Sequence, residues 1–182
     1  SEKAWPFNRR APLPRYYFDL AREREALVQD TSAYTPAVSL VTGLAAVFDL
    51  IDAGGGWERV YRRHALLAEA MRSGARAMGL ALLAPDAPSP AATGLWLPEG
   101  IDGGRITKHL RDVMGVTVAG GQGRLKGRVV RLAHLGYSDS FDVIVALSAL
   151  EMALDAFGAK MEFGLAAAAA QRVLAPSYPR GG

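Results

Sequence analysis

The chain contains no cysteine, which excludes disulfides, thiolate metal sites and a cysteine nucleophile. It has no apolar run of the roughly 18 residues that a membrane-spanning helix needs. Histidine is scarce, with 3 in all. His64, His109 and His134 are too far apart for any two to share the i, i+4 spacing of a helical metal site, so they read as packed or surface residues. Charge of one sign is also scarce: 21 basic and 18 acidic residues are interspersed, for a formal charge of +3. The nearest basic cluster is Arg124, Lys126, Arg128 and Arg131. It is short and lacks interleaved aromatics, so nucleic acid is not an expected partner. Ser1-Glu2-Lys3 leads into a polar, proline-containing segment with no signal-peptide pattern. A cytoplasmic location with no membrane association is the expectation.

What is present is a chain of 182 residues, 50% of them hydrophobic. That suits one domain, or one small domain with a piece of another. Pro6, Pro12 and Pro14 predict an extended arm over 1–15. Thr35-Pro36 reads as a helix start, with Thr35 as cap and Pro36 in the first turn. The following residues, Ala37 to Ile51, are apolar on nearly every face, which predicts a buried helix. After Gly54-Gly55-Gly56 a long amphipathic helix is predicted from about Trp57 to Met78. Its apolar face carries Val60, Leu67, Met71 and Ala75.

From Gly79 the texture becomes mixed. Strands are predicted at 80–83, 93–97, 116–118 and 128–135. A helix carrying Ile106, Leu110, Val113 and Met114 falls between the second and third. A final long helix is capped by Ser138 or Asp139, runs through Phe141, Ile144, Val145, Leu147, Met152 and Leu154, and closes at Gly158. This order predicts an α+β fold, a small sheet covered by helices. Residues 159–182 read as an appended tail with one further helix over Glu162 to Leu174 and a frayed, glycine-ending terminus.

Three features carry possible chemistry. Gly120-Gly121-Gln122-Gly123 lies between two strands rather than before a helix, so it lacks the order of a phosphate-binding loop. It reads as a hairpin connection or a loop bordering a ligand. Arg131 interrupts a strand, Val129 to Ala133, that otherwise reads as buried. A buried guanidinium needs a partner, and its planar fork suits a carboxylate. That carboxylate could belong to the protein or to a substrate. Thr31, Tyr34 and Thr35 precede a helix start, where hydroxyls and free N–H groups can bind an anion or simply cap the helix.

Several of these segments, in this order, resemble the class V aminotransferases of the alanine–glyoxylate, serine–glyoxylate and serine–pyruvate branch. They are Ser1-Glu2-Lys3-Ala4-Trp5, Tyr16-Tyr17-Phe18-Asp19-Leu20, Tyr34-Thr35-Pro36-Ala37-Val38-Ser39-Leu40 and the run from Val118 to Gly123 followed by Val129 to Gly136. The resemblance covers residues 1 to about 157. It implies a fold-type I enzyme that uses pyridoxal 5′-phosphate (PLP) and works as a homodimer. Residues 1–52 would close the large cofactor-binding domain, 53–79 would form a connecting helix, and 80–158 would be the small C-terminal domain.

By the same resemblance Arg131 matches the arginine that binds the substrate α-carboxylate. Tyr34 and Thr35, and more weakly Thr31, match a loop that reaches the PLP phosphate of the neighbouring subunit. The Schiff-base lysine of the family lies upstream of the Ser1–Trp5 segment and is not among these residues. The resemblance therefore assigns no catalytic residue to this chain and implies inactivity without the N-terminal portion of the same protein. The implied reaction moves an amino group between a small amino acid, alanine or serine, and a 2-oxo acid, glyoxylate or pyruvate. A different reading is a non-catalytic dimerisation or interaction module derived from an aminotransferase small domain. Whichever holds, the apolar faces of residues 1–52 predict an exposed hydrophobic surface.

Overall fold

A computed structural model describes residues 1–179; the frayed end expected at Gly181 and Gly182 lies outside the described residues. The chain divides into two compact units, Ser1–Gly54 and Gly55–Gly182.

In the first unit a 3-10 turn, Glu2–Ala4, leads into helix α1, Trp5–Arg10. This corrects the extended arm expected for the opening segment. Pro6 sits in the first turn, where its missing N–H has no helical partner to lose. Helix α2, Leu20–Leu27, is capped by Asp19, whose carboxylate accepts from the amide of Ala21.

Helix α3 spans Val38–Ala53, and its N-cap is Ala37 without any side-chain cap. The capping role expected of Thr35 is thus corrected. The Pro36 carbonyl accepts from the amide of Val38, a tight three-residue turn, so the helical ladder begins at the Ala37 carbonyl. The burial expected of α3 is corrected too: none of its residues is buried, and Leu40 is 74% and Leu50 71% exposed. With Leu13, Tyr17, Phe18 and Val28 also exposed, the first unit presents the apolar surface anticipated for residues 1–52.

The second unit holds the core. Helix α4, Gly56–Ala77, buries Leu67, Ala68, Ala70, Met71, Gly74 and Ala75, all in its C-terminal half. Strands β1 (Ala92–Trp96), β2 (Ala119–Gly120) and β3 (Val129–Ala133) form an antiparallel sheet in the order β1-β3-β2. The fold is α+β, as anticipated. The strand expected at 80–83 is reduced to one bridge, Leu82 to Leu95, flanked by backbone bonds Leu83 N–H to Gly94 and Trp96 N–H to Ala81. The strand expected at 116–118 falls instead at Ala119–Gly120.

Helix α5, Gly103–Met114, buries Ile106 and Leu110 but leaves Val113 exposed. Helix α6, Ser140–Ala156, opens with a capping box, Asp139 and Asp142 each bonding the other's backbone amide. Its buried residues include Leu147, Leu150 and Leu154, whereas Phe141, Val145 and Met152 face outward.

Helix α7, Leu165–Leu174, belongs to the core and is not an appendage. Ala166, Ala169, Ala170 and Leu174 are buried, and the helix packs on α4 and α6. Its small side chains let the backbones approach closely, so a segment that looks featureless in sequence closes the hydrophobic cluster. Among the described residues, no single helix is long and apolar enough to cross a membrane, and no group of three or more metal-ligating side chains occurs.

Candidate functional site

The site grows from the pairing of β1 with β3. Antiparallel register sets Leu95 opposite Val130, Gly94 opposite Arg131 and Thr93 opposite Leu132. Side chains alternate between the two faces of a sheet. Leu95, Val130, Leu132 and His134 are buried in the core, which leaves Arg131 on the other face. The structure thus corrects the expected burial of Arg131: it is exposed, and its cross-strand partner Gly94 and following neighbour Ala133 on that face are small, while Val129 on the same face is buried.

Arg131 donates from Nε to the carbonyl of Gly120 in β2, at 3.0 Å. That bond fixes the root of the guanidinium. Among the described residues no carboxylate forms an ion pair with it, and its terminal nitrogens have no protein partner. Arg131 lines a cleft of about 250 Å³ at the mouth of the hairpin formed by 80–96. Leu82, Leu83 and Pro88 wall the cleft, and among the described residues no acidic one lines it. Arg72, reaching in from α4, is its second cation.

Beneath the cleft lies His134, fully buried, with Nε2 2.9 Å from Thr93 Oγ1. Its Nδ1 is buried without a hydrogen-bond partner. Burial holds the imidazole below its ordinary pKa of 6.5, and the charges of Arg72 and His64 act in the same direction. A histidine with a depressed folded-state pKa stays neutral while the unfolded chain already takes up a proton. Stability present at neutral pH is therefore lost as the pH falls below about 6.5, by up to ~1.4 kcal/mol per pH unit. Urea unfolding at pH 7.5 and 5.5 should show this loss in the wild type and a smaller one in His134→Gln. Equal losses in the two proteins would refute the assignment.

The glycine-rich loop winds on itself. The Gly121 amide donates to Val129, and Gly123–Leu125 forms a 3-10 turn. A Cβ at Gly121 would lie 2.1 Å from the Leu125 carbonyl oxygen, so glycine is required there by close approach of backbone to backbone. This favours the hairpin-connection reading.

Thr31, Tyr34 and Thr35 lie in the first unit, and Arg131 lies in the second. The Tyr34 hydroxyl donates to the Tyr16 carbonyl at 2.9 Å and accepts from Arg22 at 3.2 Å. Its ring packs against those of Tyr16 and Tyr17. The Thr31 amide is bound to the Ala26 carbonyl. Thr35 is exposed, and neither its amide nor its hydroxyl has a partner among the described residues. Ser32 and Glu23, absent from the sequence-based candidates, shape the loop: Ser32 Oγ donates to the Tyr34 carbonyl, and Glu23 accepts from the Ala33 amide. Arg72 was also absent from those candidates. Its signal is its place beside the buried stripe of Ala68, Met71 and Ala75.

No protein-family model matches the chain. It is 36% identical over 176 residues to a Synechococcus protein described as soluble hydrogenase, small subunit, covering 96% of this chain and 45% of that one. It is 33% identical over 168 residues to serine–glyoxylate aminotransferase of Methylorubrum extorquens, covering 89% of this chain and 40% of that one. The crystal structure of pyridoxamine–pyruvate aminotransferase from Mesorhizobium loti superposes with a TM-score of 0.84 at 33% identity, over 98% of this chain and 47% of that one. The chain spans about half the length of the relatives it matches.

Proposed function

Because the chain belongs to the class V aminotransferases, matching their C-terminal part, we propose that it supplies the carboxylate-binding portion of a PLP-dependent transaminase. The intact enzyme moves an amino group between a small amino acid such as alanine or serine and a 2-oxo acid such as glyoxylate or pyruvate. The observation that carries this reading is Arg131, anchored through Nε and, among the described residues, free at its terminal nitrogens and facing a cleft without acidic residues.

A guanidinium binds a carboxylate through two parallel N–H···O bonds, which fixes both position and orientation. With its root held by the Gly120 carbonyl, Arg131 loses little side-chain freedom on binding. Leu82, Leu83 and Pro88 exclude water from one side of the bound acid, which strengthens the ion pair.

Thr35 fits the phosphate of PLP, because its amide and hydroxyl are both open donors in an exposed loop. Tyr34 contributes by its ring packing rather than by its hydroxyl, which is already engaged. Thr31 has an exposed side chain on the same loop. When bound, PLP supplies the electron sink on which amino-group transfer depends. By the family resemblance, the lysine that anchors it is not among these residues.

The first unit joins the cofactor-binding domain in this reading, and its exposed apolar residues meet that domain and the second subunit of a homodimer in the cytoplasm. Kinetics of the intact protein with alanine or serine and glyoxylate or pyruvate test the proposal. Arg131→Met should lower kcat/KM at least 30-fold, about 2 kcal/mol of lost binding. An unchanged kcat/KM would overturn the assignment.

A further inference from the structure

The glycine-rich loop adjoins the group that anchors Arg131. That group is the carbonyl of Gly120, which accepts from Arg131 Nε at 3.0 Å. Gly120 belongs to β2, a strand of 2 residues at the edge of the sheet, beside β3. Ala119 stands opposite Arg131 and Gly120 opposite Val130. So short a strand brings few ladder bonds of its own, and the place of the Gly120 carbonyl depends on the chain that follows it.

That chain is closely bonded. The Gly121 amide donates to the Val129 carbonyl at 2.8 Å, the Leu125 amide to Gln122 at 3.0 Å and the Lys126 amide to Gly123 at 3.1 Å. The Leu125 carbonyl accepts from the Arg128 amide at 3.1 Å, at the entry to β3. A Cβ at Gly121 would stand 2.1 Å from this same oxygen and 2.6 Å from its carbon. The oxygen cannot swing aside without breaking the Arg128 bond, so a side chain at 121 must push the 123–125 turn and β2 apart. Glycine is the residue that lets backbone meet backbone this closely.

We infer that Gly121 is a positioning residue for carboxylate binding: it lets the turn close on β2, which holds the Gly120 carbonyl where it aims the Arg131 fork into the cleft. A guanidinium released from that carbonyl keeps its charge but samples more rotamers, and it must give them up when a carboxylate binds. The inference rests on the reading of Arg131 as the carboxylate-binding residue.

Steady-state kinetics of the intact enzyme, with alanine or serine as donor and glyoxylate or pyruvate as acceptor, test it through a double-mutant cycle of Gly121→Ala and Arg131→Met. Gly121→Ala should raise KM for donor and acceptor alike by about fivefold or more, since both carry an α-carboxylate, and should lower kcat less. In the Arg131→Met background the same change should alter kcat/KM by less than about twofold, because the group it acts through is gone. Gly123→Ala strains the turn itself, at φ +53° with open space around its Cβ. It should move KM in the same direction by a smaller factor, and it keeps the test open if Gly121→Ala fails to fold. An unchanged KM, or equal losses with and without Arg131, would overturn the inference while the carboxylate reading of Arg131 stands. An Arg131→Met enzyme with unchanged kcat/KM would overturn both.

Discussion

Glu151→Ala is expected to destabilise the second unit by about 1–4 kcal/mol. Glu151 is 2% exposed, and its two carboxylate oxygens accept from the backbone amides of Gly164 and Ala166, at 3.0 and 2.7 Å. These amides belong to the N-terminus of α7, whose N-cap, Gly164, has no side chain to offer and sits at φ 90°. The cap is supplied instead from α6. Alanine at 151 would leave the buried Ala166 amide without an acceptor, which costs about 1–3 kcal/mol, whereas the amide of the exposed Gly164 would turn to water. It would also remove a negative charge from the positive end of a helix dipole. Glu151→Gln keeps the shape but presents only one accepting oxygen, so about half of the loss should remain. Urea denaturation gives the midpoint and slope for each variant. An alanine variant within 0.5 kcal/mol of wild type, roughly the range of an ordinary surface change, would contradict this account.

The second large effect is expected at Gly74, where α4 meets α6 and α7. A Cβ there would stand 2.4 Å from Leu147 Cδ1 and 2.9 Å from the Ala166 carbonyl oxygen. Leu147 can shift a flexible end, but the Ala166 oxygen is main chain and moves only if α7 moves. Gly74→Ala should therefore destabilise by about 1–3 kcal/mol through overpacking, even though alanine gains roughly 1 kcal/mol over glycine in helix propensity. Gly74→Leu should be worse and should expose α7 to proteolysis. Limited proteolysis beside a thermal melt reads both effects. An alanine variant more stable than wild type would show that the helices have slack where none is apparent.

Both sites illustrate which parts of the fold are legible in the sequence. The long helix α4 declares itself through apolar spacing, and the start of α6 through the polar residues before it. Those signals are local, since the residues that make them touch within a turn or two. Glu151 is the opposite case. In sequence it is one more acid on a helix, next to an apolar Met152, yet the glutamate is buried and the methionine faces out. The reason lies 13 residues further on, at the uncapped start of α7, and no spacing rule connects the two. The packing of α7 is illegible in the sequence for a related reason. Alanine carries little periodic signal, and its value here is that it lets helices come close.

The candidate site divides along the same line. Arg131 stood out because a charge broke an apolar strand, but counting neighbours along the chain placed it inside. The alternation of faces, with Val130, Leu132 and His134 turned to the core, puts it outside. Arg72 is hidden among the charged residues of α4, because its place beside the same cleft as Arg131 comes from the 80–96 hairpin and not from local spacing. Thr35 lost its expected capping role to the Pro36 turn and gained two open donors in exchange.

The sheet keeps two separate texts on its two sides. What holds the unit together is written in Leu95, Val130, Leu132 and the Thr93–His134 bond. What the proposed reading offers to a carboxylate is written around Arg131, on the opposite face. A lineage that changes the second text need not edit the first. Under the proposed carboxylate role, substitutions at the exposed positions around Arg131 would alter what is bound while folding scarcely registers them.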